Sequence, residues 1–348
     1  MKRGYLVAAL LLFLVGCQPG SADPIPTTES SPPAEVELTE DGIVLGPGLH
    51  PQDLAADGEL LFVLATSEPY GEGGDPPQET AHVVALRTDG SVVWEVVLTD
   101  APVRVAASEG GVWVAHYATG GVSRLDPASG RVEATVVPEL PFDVGSHADR
   151  RRFLPADLEV GFGSLWMSTF RGAVARIDAP TNAVETVIEL RPKGPDQLAV
   201  GEGAVWVAED VHGLTRIDPS TNQATTIGLE DLDHTAQLVA IDDHEGMVWV
   251  AGNRLARTAD GSFLMEAGGY VSGDEYQVTA INPDTLAVLG GVRFEEPLRW
   301  VGYLNGFFGL LDWSAVFHHL SARPPAVSDA TVVAGARPGA IAQVGGEA

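Results

Sequence analysis

The chain is poor in cysteine, in lysine and in positive charge generally. One of its 348 residues is cysteine, Cys17, so no disulfide can form within the chain and stability must come from packing. Lysine and arginine together number 20 against 48 acidic residues, a formal charge of −28. A surface that acidic does not displace counterions from phosphates, which excludes nucleic-acid binding. No G-x-S-x-G elbow is present, and the G-E-G turns precede apolar strands rather than helices, so the helix N-terminus of a phosphate loop is missing. A sustained 3.6-residue apolar period is also missing, which argues against a helical solenoid. What is abundant is glycine, at 40, proline, at 24, and hydrophobic residues, at 45%. Without a G-X-Y period, this composition signals a sizeable core interrupted by many tight turns.

The N-terminus reads as an address. Lys2 and Arg3 precede an apolar run, Tyr5 to Val15, too short to span a bilayer as a helix. It leads into Leu14-Val15-Gly16-Cys17, a spacing that resembles the bacterial lipobox, in which the cysteine is lipidated and becomes the new N-terminus. The resemblance implies a signal peptide over 1–16, lipidation at Cys17 and a protein held outside the cytoplasmic membrane. Residues 17–35 are rich in Pro, Ser, Thr and Glu and read as a flexible tether. Acyl chains would hold the protein to the membrane while anionic headgroups repel its acidic body.

Residues 36–348 are built of repeats. The clearest unit is P-D-Q-L-A-V-G-E-G-A-V-W-V-A at 195–208 followed by G-L-T-R-I-D-P-S-T-N at 213–222. V-W-V-A recurs at 112–115 and 248–251, L-W-M-S at 165–168, and divergent copies stand at 61–64 and 308–311. The turn recurs as L-D-P-A-S-G, I-D-A-P-T-N and I-N-P-D-T. Four short apolar runs in about forty residues, separated by Gly-rich or Asp-Pro turns, are the pattern of a β-propeller blade. The fold prediction is therefore all-β.

Proline-led inner-strand starts occur at Pro51, Pro102, Pro155, Pro195, Pro297 and Pro338, with Thr235 at the equivalent place. Seven starts favour seven blades, the last composed of an inner strand near residues 340–344 and outer strands from 36–45, so that the two termini close the ring. Six blades with an overlapping closure is the alternative. The G-E-G-x-V-W-V-A and R-I-D-P-x-T motifs resemble the bacterial YVTN/YncE-like and streptogramin-lyase-like propeller superfamily over nearly all of residues 36–348. These motifs are core and turn residues and carry no activity.

Strand phase sorts the connections. Long ones, Ser67–Ala81, Glu139–Leu154, Glu230–Thr235 and Asn253–Gln277, fall on the face reached by the second-to-third and blade-to-blade connections. Around the funnel mouth on that face the starts place Asp53, Arg104, Asp157, Gln197, Gln237, Arg299 and Ala340. Such a set could hold a divalent cation, calcium or magnesium, an anion or a zwitterion; equally, the aspartates could simply neutralise the arginines. His116 and Glu209 follow equivalent second strands, with His212, His234, Asp231 and Asp233 on neighbouring connections, a set capable of hydrolytic or metal chemistry but matching no metal spacing. Trp113, Trp166, Trp206 and Trp249 share one repeat position and are expected to pack between blades.

Two functions follow. One is a monomeric binding or scaffold protein for a protein, peptide or small extracellular ligand, using the long connections with Arg254, Arg257, Phe263 and Tyr270. The other, implied by the resemblance, is a lyase or hydrolase of streptogramin-lyase or lactonase type with a divalent metal in the funnel. The residues favour the binder, because Arg104 separates the two ring carboxylates and would weaken a base.

Overall fold

The computed structural model describes residues 36–39, 42–45, 49–67, 80–108, 110–140, 154–190, 197–242, 245–266, 269–295, 298–304, 307–312, 316–322 and 325–332. The leader, Cys17, the tether, Ala340 and the predicted C-terminal strand lie outside these residues, as do the centres of the Ser67–Ala81 and Glu139–Leu154 connections.

The elements are almost all strands. A hairpin, β1 (Val36–Thr39) and β2 (Gly42–Leu45), comes first and forms a two-stranded sheet. Four-stranded sheets follow in sequence order. The first holds β3 (His50–Asp57), β4 (Leu60–Thr66), β5 (Ala81–Arg87) and β6 (Val92–Leu98). The second holds β7 (Pro102–Ser108), β8 (Gly111–His116), β9 (Val122–Leu125) and β10 (Val132–Val136). The third is β11 (Pro155–Gly161), β12 (Ser164–Thr169), β13 (Ala173–Asp178) and β14 (Val184–Glu189). The fourth is β15 (Gln197–Gly201), β16 (Ala204–Ala208), β17 (Leu214–Ile217) and β18 (Ala224–Ile227). After one helical turn, α1 (Leu229–Leu232), the fifth runs β19 (Leu238–Asp242), β20 (Met247–Leu255), β23 (Ser272–Ile281) and β24 (Val288–Phe294). A small hairpin, β21 (Met265–Glu266) with β22 (Gly269–Tyr270), is inserted between β20 and β23. The sixth holds β25 (Leu298–Leu304), β26 (Phe307–Asp312), β27 (Val316–Ala322) and β28 (Pro325–Val332). Each four-stranded sheet is an antiparallel meander in chain order, the fifth passing over the inserted β21–β22 hairpin.

Burial falls from the second strand outward. β8 and β12 are buried at every residue, whereas β10 alternates and β18 is exposed except at Ile227. This gradient explains why the V-W-V-A runs are continuously apolar: a strand covered on both faces has no solvent side to pattern. The four tryptophans are at most 1% exposed, as packing residues should be. Arginine on the third strand stacks over three of them, Arg124 on Trp113, Arg176 on Trp166 and Arg216 on Trp206, at 5.0–5.9 Å.

The Asp-Pro motifs close the outer hairpins as anticipated. Asp218 Oδ1 accepts the Ser220 N–H at 2.8 Å, and Asn282 Oδ1 accepts that of Thr285 at 2.8 Å. Asn182 and Asn222 then take the left-handed conformation, φ 59°, that a short polar side chain tolerates.

The contacts divide the chain into two compact units. One comprises Met1–Trp166, Ala175–Val187 and Ala334–Ala348; the other comprises Met167–Val174 and Ile188–Val333. Within the first, β7 lies beside both β3 and β11; within the second, β19 lies beside both β15 and β25. Sheets of the first unit are riveted through their turns: Trp94 Nε1 donates to the Pro127 carbonyl at 2.8 Å, and Arg124 Nη1 to that of Ala179 at 2.9 Å.

Candidate functional site

The first strand of each sheet is a sheet edge, so alternate N–H groups point away from the ladder and need partners. The predicted site residues Asp53 and Gln197 supply them. Asp53 Oδ2 accepts the N–H of Val105 on β7 at 2.9 Å, and Gln197 Oε1 accepts that of Val239 on β19 at 2.8 Å. Arg104, in the same register as Asp53 and Gln197, can only donate. It meets Asp157 on β11 with Nε 3.7 Å from Oδ1. The polar inner-strand residues thus tie neighbouring sheets together.

Two predicted ring positions shift by one residue. Asp53, Arg104 and Gln197 pair with Leu64, Ala115 and Ala208, two residues past the Phe or Trp of the second strand. In the fifth sheet the residue opposite Ala251 is Leu238, and Gln237 instead directs Nε2 to Asp210 Oδ1 at 3.4 Å. In the sixth, the register breaks between Leu298 and Trp300 as it does between Pro102 and Arg104, so Trp300 takes the equivalent position and Arg299 falls in the irregularity. Lining up the starts by proline misses this, because pairing with the second strand, and not the spacing from a start residue, sets the register.

One residue was missed altogether. Two residues past the tie position the inner strands carry Ala55, Ala106, Ala199 and Ala240, each opposite the Phe or Trp of its second strand. On β11, two residues past Asp157, stands Glu159. Its carboxyl is crowded by protein, and burial, then the charges of Asp157 and Asp53, push it up to about 8. Burial also raises Asp53 to about 6, with Arg104 opposing and Asp157 reinforcing the rise. A glutamate in a column of alanines was legible in the repeat alignment. Attention to one column, the polar starts, hid it.

The histidines are not gathered into a solvent-facing cluster. His116 is 5% exposed and His234 0%, and both are held in the same way. His116 Nδ1–H donates to the Thr99 carbonyl at 2.9 Å, and Nε2 lies 2.8 Å from Ser123 Oγ, which donates to it. His234 Nδ1–H donates to the Thr235 carbonyl at 2.6 Å, and Nε2 accepts from Thr279 Oγ1 at 2.8 Å. A carbonyl accepts only, which fixes the Nδ1–H tautomer and leaves neither nitrogen for a metal. Burial lowers both pKa values, that of His234 to about 4. Glu209, 1% exposed, occupies the place of His116 and accepts from Thr215 Oγ1, which in turn reaches Thr226 Oγ1 at 2.6 Å. His212 sits in the turn below it, its N–H bonded to the Glu209 carbonyl at 2.8 Å. Where the fifth sheet has Gly252 instead, the preceding connection crosses so closely that a Cβ would stand 2.0 Å from the Thr235 carbonyl oxygen.

The long insertion of the fifth sheet is a pinned arm. β20 and β23 continue past the sheet, with Asn253 opposite Tyr276 and Leu255 opposite Ser272. Tyr270 pairs through its backbone with Met265 in the β21–β22 hairpin. Asp233, in left-handed conformation just after α1, accepts from Arg254 Nη2 at 3.1 Å and from Arg257 Nη2 at 2.7 Å. Burial opposes ionisation of Asp233, but these two guanidiniums outweigh it and hold its carboxyl below the usual range. Arg254 also binds Glu275 at 2.8 Å, and Arg257 lies over the Phe263 ring at 4.1 Å. The bridge between His234 and Arg254 brings the sheet-to-sheet connection and the second-to-third connection to one side, in agreement with the strand phase read from the repeats.

No protein family matches this chain, and no curated protein does. Solved structures do. BamB from Moraxella catarrhalis aligns over 88% of this chain and 88% of its own, with a TM-score of 0.51 at 14% identity. The Pan2 WD40 domain of Neurospora crassa covers 84% of this chain and 81% of its own, with a TM-score of 0.51 at 10% identity. A chain of a mitotic checkpoint complex covers 87% of this chain and 82% of its own, with a TM-score of 0.55 at 13% identity. The fold is that of a β-propeller.

Propeller architecture accounts for the repeated four-stranded meanders and for inner strands whose edges are tied sideways rather than paired. Among the described residues of this propeller, no three His, Cys, Asp or Glu side chains are placed to hold one metal ion. Asp53 and Asp157 act by their charge on Glu159, while Arg104 acts on Asp53 and lies 3.7 Å from Asp157.

Proposed function

We propose that this propeller is a lipid-anchored protein outside the cytoplasmic membrane that binds a protein, peptide or small extracellular ligand through the face bearing its long connections. The pinned arm carries the reading: Asp233 clamps Arg254 and Arg257, and Arg257 in turn stacks on Phe263. Recognition surfaces draw affinity from arginine and aromatic anchors held in place beforehand, since less ordering entropy is then lost on binding. One structural neighbour is part of a mitotic checkpoint complex, a protein assembly. The Leu14–Cys17 spacing supplies the anchor and residues 17–35 the tether. We take the β1–β2 hairpin and the C-terminal residues as the two parts of a seventh blade that closes the ring, with six blades as the alternative.

A lyase or hydrolase using a divalent cation such as calcium or magnesium is the second reading. It is favoured by Glu159, a carboxyl poised to carry a proton near neutral pH beside Asp157. A photo-crosslinker at position 257 of the anchored protein tests the first reading. Specific adducts in the envelope, lost when residues 258–270 are replaced by a short Gly-Ser turn in a chain that keeps its strand-dominated circular dichroism, are the expected result. Unchanged adducts without the arm, or loss of ligand capture with Asp157→Ala instead, would move the site to the inner strands.

A further inference from the structure

The first-to-second turn of the third sheet departs from its repeat. Where the fourth sheet has G-E-G at 201–203, the third has G-F-G at 161–163, and the sequence carries glutamate again at 109 and 245. Only Phe162 and Gly163 stand between β11 and β12, and both are left-handed, with φ 53° and 73°. Two-residue hairpin turns of this hand favour Asn, Asp or Gly at the first place, and a bulky aromatic side chain is strained there. Burial does not offset the strain, because Phe162 is 44% exposed. Among the described residues no ring contact involves it either.

The turn sits on a pinned platform. The Ala179 N–H donates to the Gly163 carbonyl at 3.2 Å, which sets the third-to-fourth turn, with exposed Pro180, against the Phe162 turn. Val184, 40% exposed, opens β14 just beyond. Arg124 of β9 holds the platform from the neighbouring sheet, with Nη1 2.9 Å from the Ala179 carbonyl and 3.3 Å from that of Pro180. The other cations at this end also face carboxylates: Arg176 lies 2.7 Å from Glu185 and Arg131 lies 3.3 Å from Glu133. Asp126 and Asp178, in the third-to-fourth turns of the second and third sheets, accept from the Ser129 and Thr181 hydroxyls. Those bonds hold both carboxyls below the usual range, so both stay ionised. An apolar anchor is thus presented among negative charges.

We propose that Phe162 anchors a second docking contact, at the end of the third sheet away from its second-to-third turn, for a protein whose apolar pocket is rimmed by lysine or arginine. A ring held in place beforehand supplies apolar area with little loss of entropy on binding, and a basic rim complements Asp126 and Asp178. The same carboxylates disfavour an anionic membrane.

The test joins stability to contact in the full chain. Phe162→Asn installs a residue that the left-handed turn accepts, so its melting temperature is expected to rise by about 2 °C. The photo-crosslinker p-benzoylphenylalanine at position 162 is expected to give protein adducts in washed envelopes, mapping to an apolar pocket flanked by basic residues. Their yield should fall several-fold between about 0.05 and 0.5 M salt. Excess native protein should compete for the adduct, Phe162→Asn at least about tenfold less well. Phe170→Asn, which removes a ring 46% exposed at the other end of the same sheet, should compete like the native protein. A lower melting temperature for Phe162→Asn would overturn the proposal, because the ring would then serve the fold. Adducts confined to lipid, to a second copy of the chain or to a surface without basic residues would overturn it too, as would equal competition by Phe162→Asn.

Discussion

Asp53 and Val105 stand 52 residues apart in sequence, yet the carboxylate of one holds the backbone N–H of the other at 2.9 Å. Gln197 does the same for Val239, so a position that looks from sequence like a ligand-binding ring is also the means by which successive sheets are joined. Removing either side chain leaves a buried donor without its partner. Asp53→Ala and Gln197→Ala are each expected to lower the stability measured by urea unfolding by about 1–3 kcal/mol. Asp53→Asn keeps an acceptor oxygen and removes a charge whose pKa burial has raised to about 6, so above that pH it should equal or exceed the native protein.

His234 gives a stability term of opposite pH sense to Glu159. Burial lowers its pKa from 6.5 to about 4, so the unfolded chain binds a proton that the folded chain refuses. Its contribution is complete above pH 6.5 and is lost as pH falls through about 4, reaching about 3 kcal/mol. The difference between the native protein and His234→Gln, followed by denaturant unfolding from pH 7.5 to 4, should carry this slope.

Gly252→Ala should destabilise by about 2 kcal/mol or more, because the added methyl would meet the Thr235 carbonyl oxygen at 2.0 Å. The same crossing is fixed by the Thr235 N–H to the Asn253 carbonyl at 2.8 Å, so the backbone there has little room to yield. A melting curve indistinguishable from the native one would contradict that geometry.

Asp233→Asn removes the charge that binds two arginines and should free the arm without unfolding the sheets. Limited proteolysis is expected to cut within 257–262, whose residues are exposed, while the melting temperature moves by less than about 2 °C. Equal protease resistance would show that the arm is held by its backbone pairing alone.

Cys17→Ala is expected to release the protein from the membrane fraction, since a single cysteine carries the lipid in the lipobox reading. Retention of the variant in the detergent phase would point to a different attachment.

The repeated runs by themselves determine much of this molecule. Apolar stretches four to six residues long, each closed by Gly-rich or Asp-Pro turns, can bury their faces only in short meandering sheets. The turn geometry of Asp218 and Asn282 followed from local chemistry, as did the burial of the four tryptophans. Other properties depend on residues far apart in the chain. Whether Asp53 and Gln197 face a ligand or grip the next strand depends on which N–H lies opposite, and that is decided by packing between sheets. Leu238 rather than Gln237 holds the equivalent position because register follows the ladder, not the spacing from a start residue. His116 and His234 read as reactive loop residues because sequence shows their neighbours along the chain; tertiary structure surrounds each with a carbonyl and a hydroxyl that use both nitrogens. Glu159 was visible as a letter out of column, but only the approach of β3 and β7 supplies the charges that set its proton. Periodicity fixes which way a side chain points; what it meets there depends on strands brought together from elsewhere in the chain.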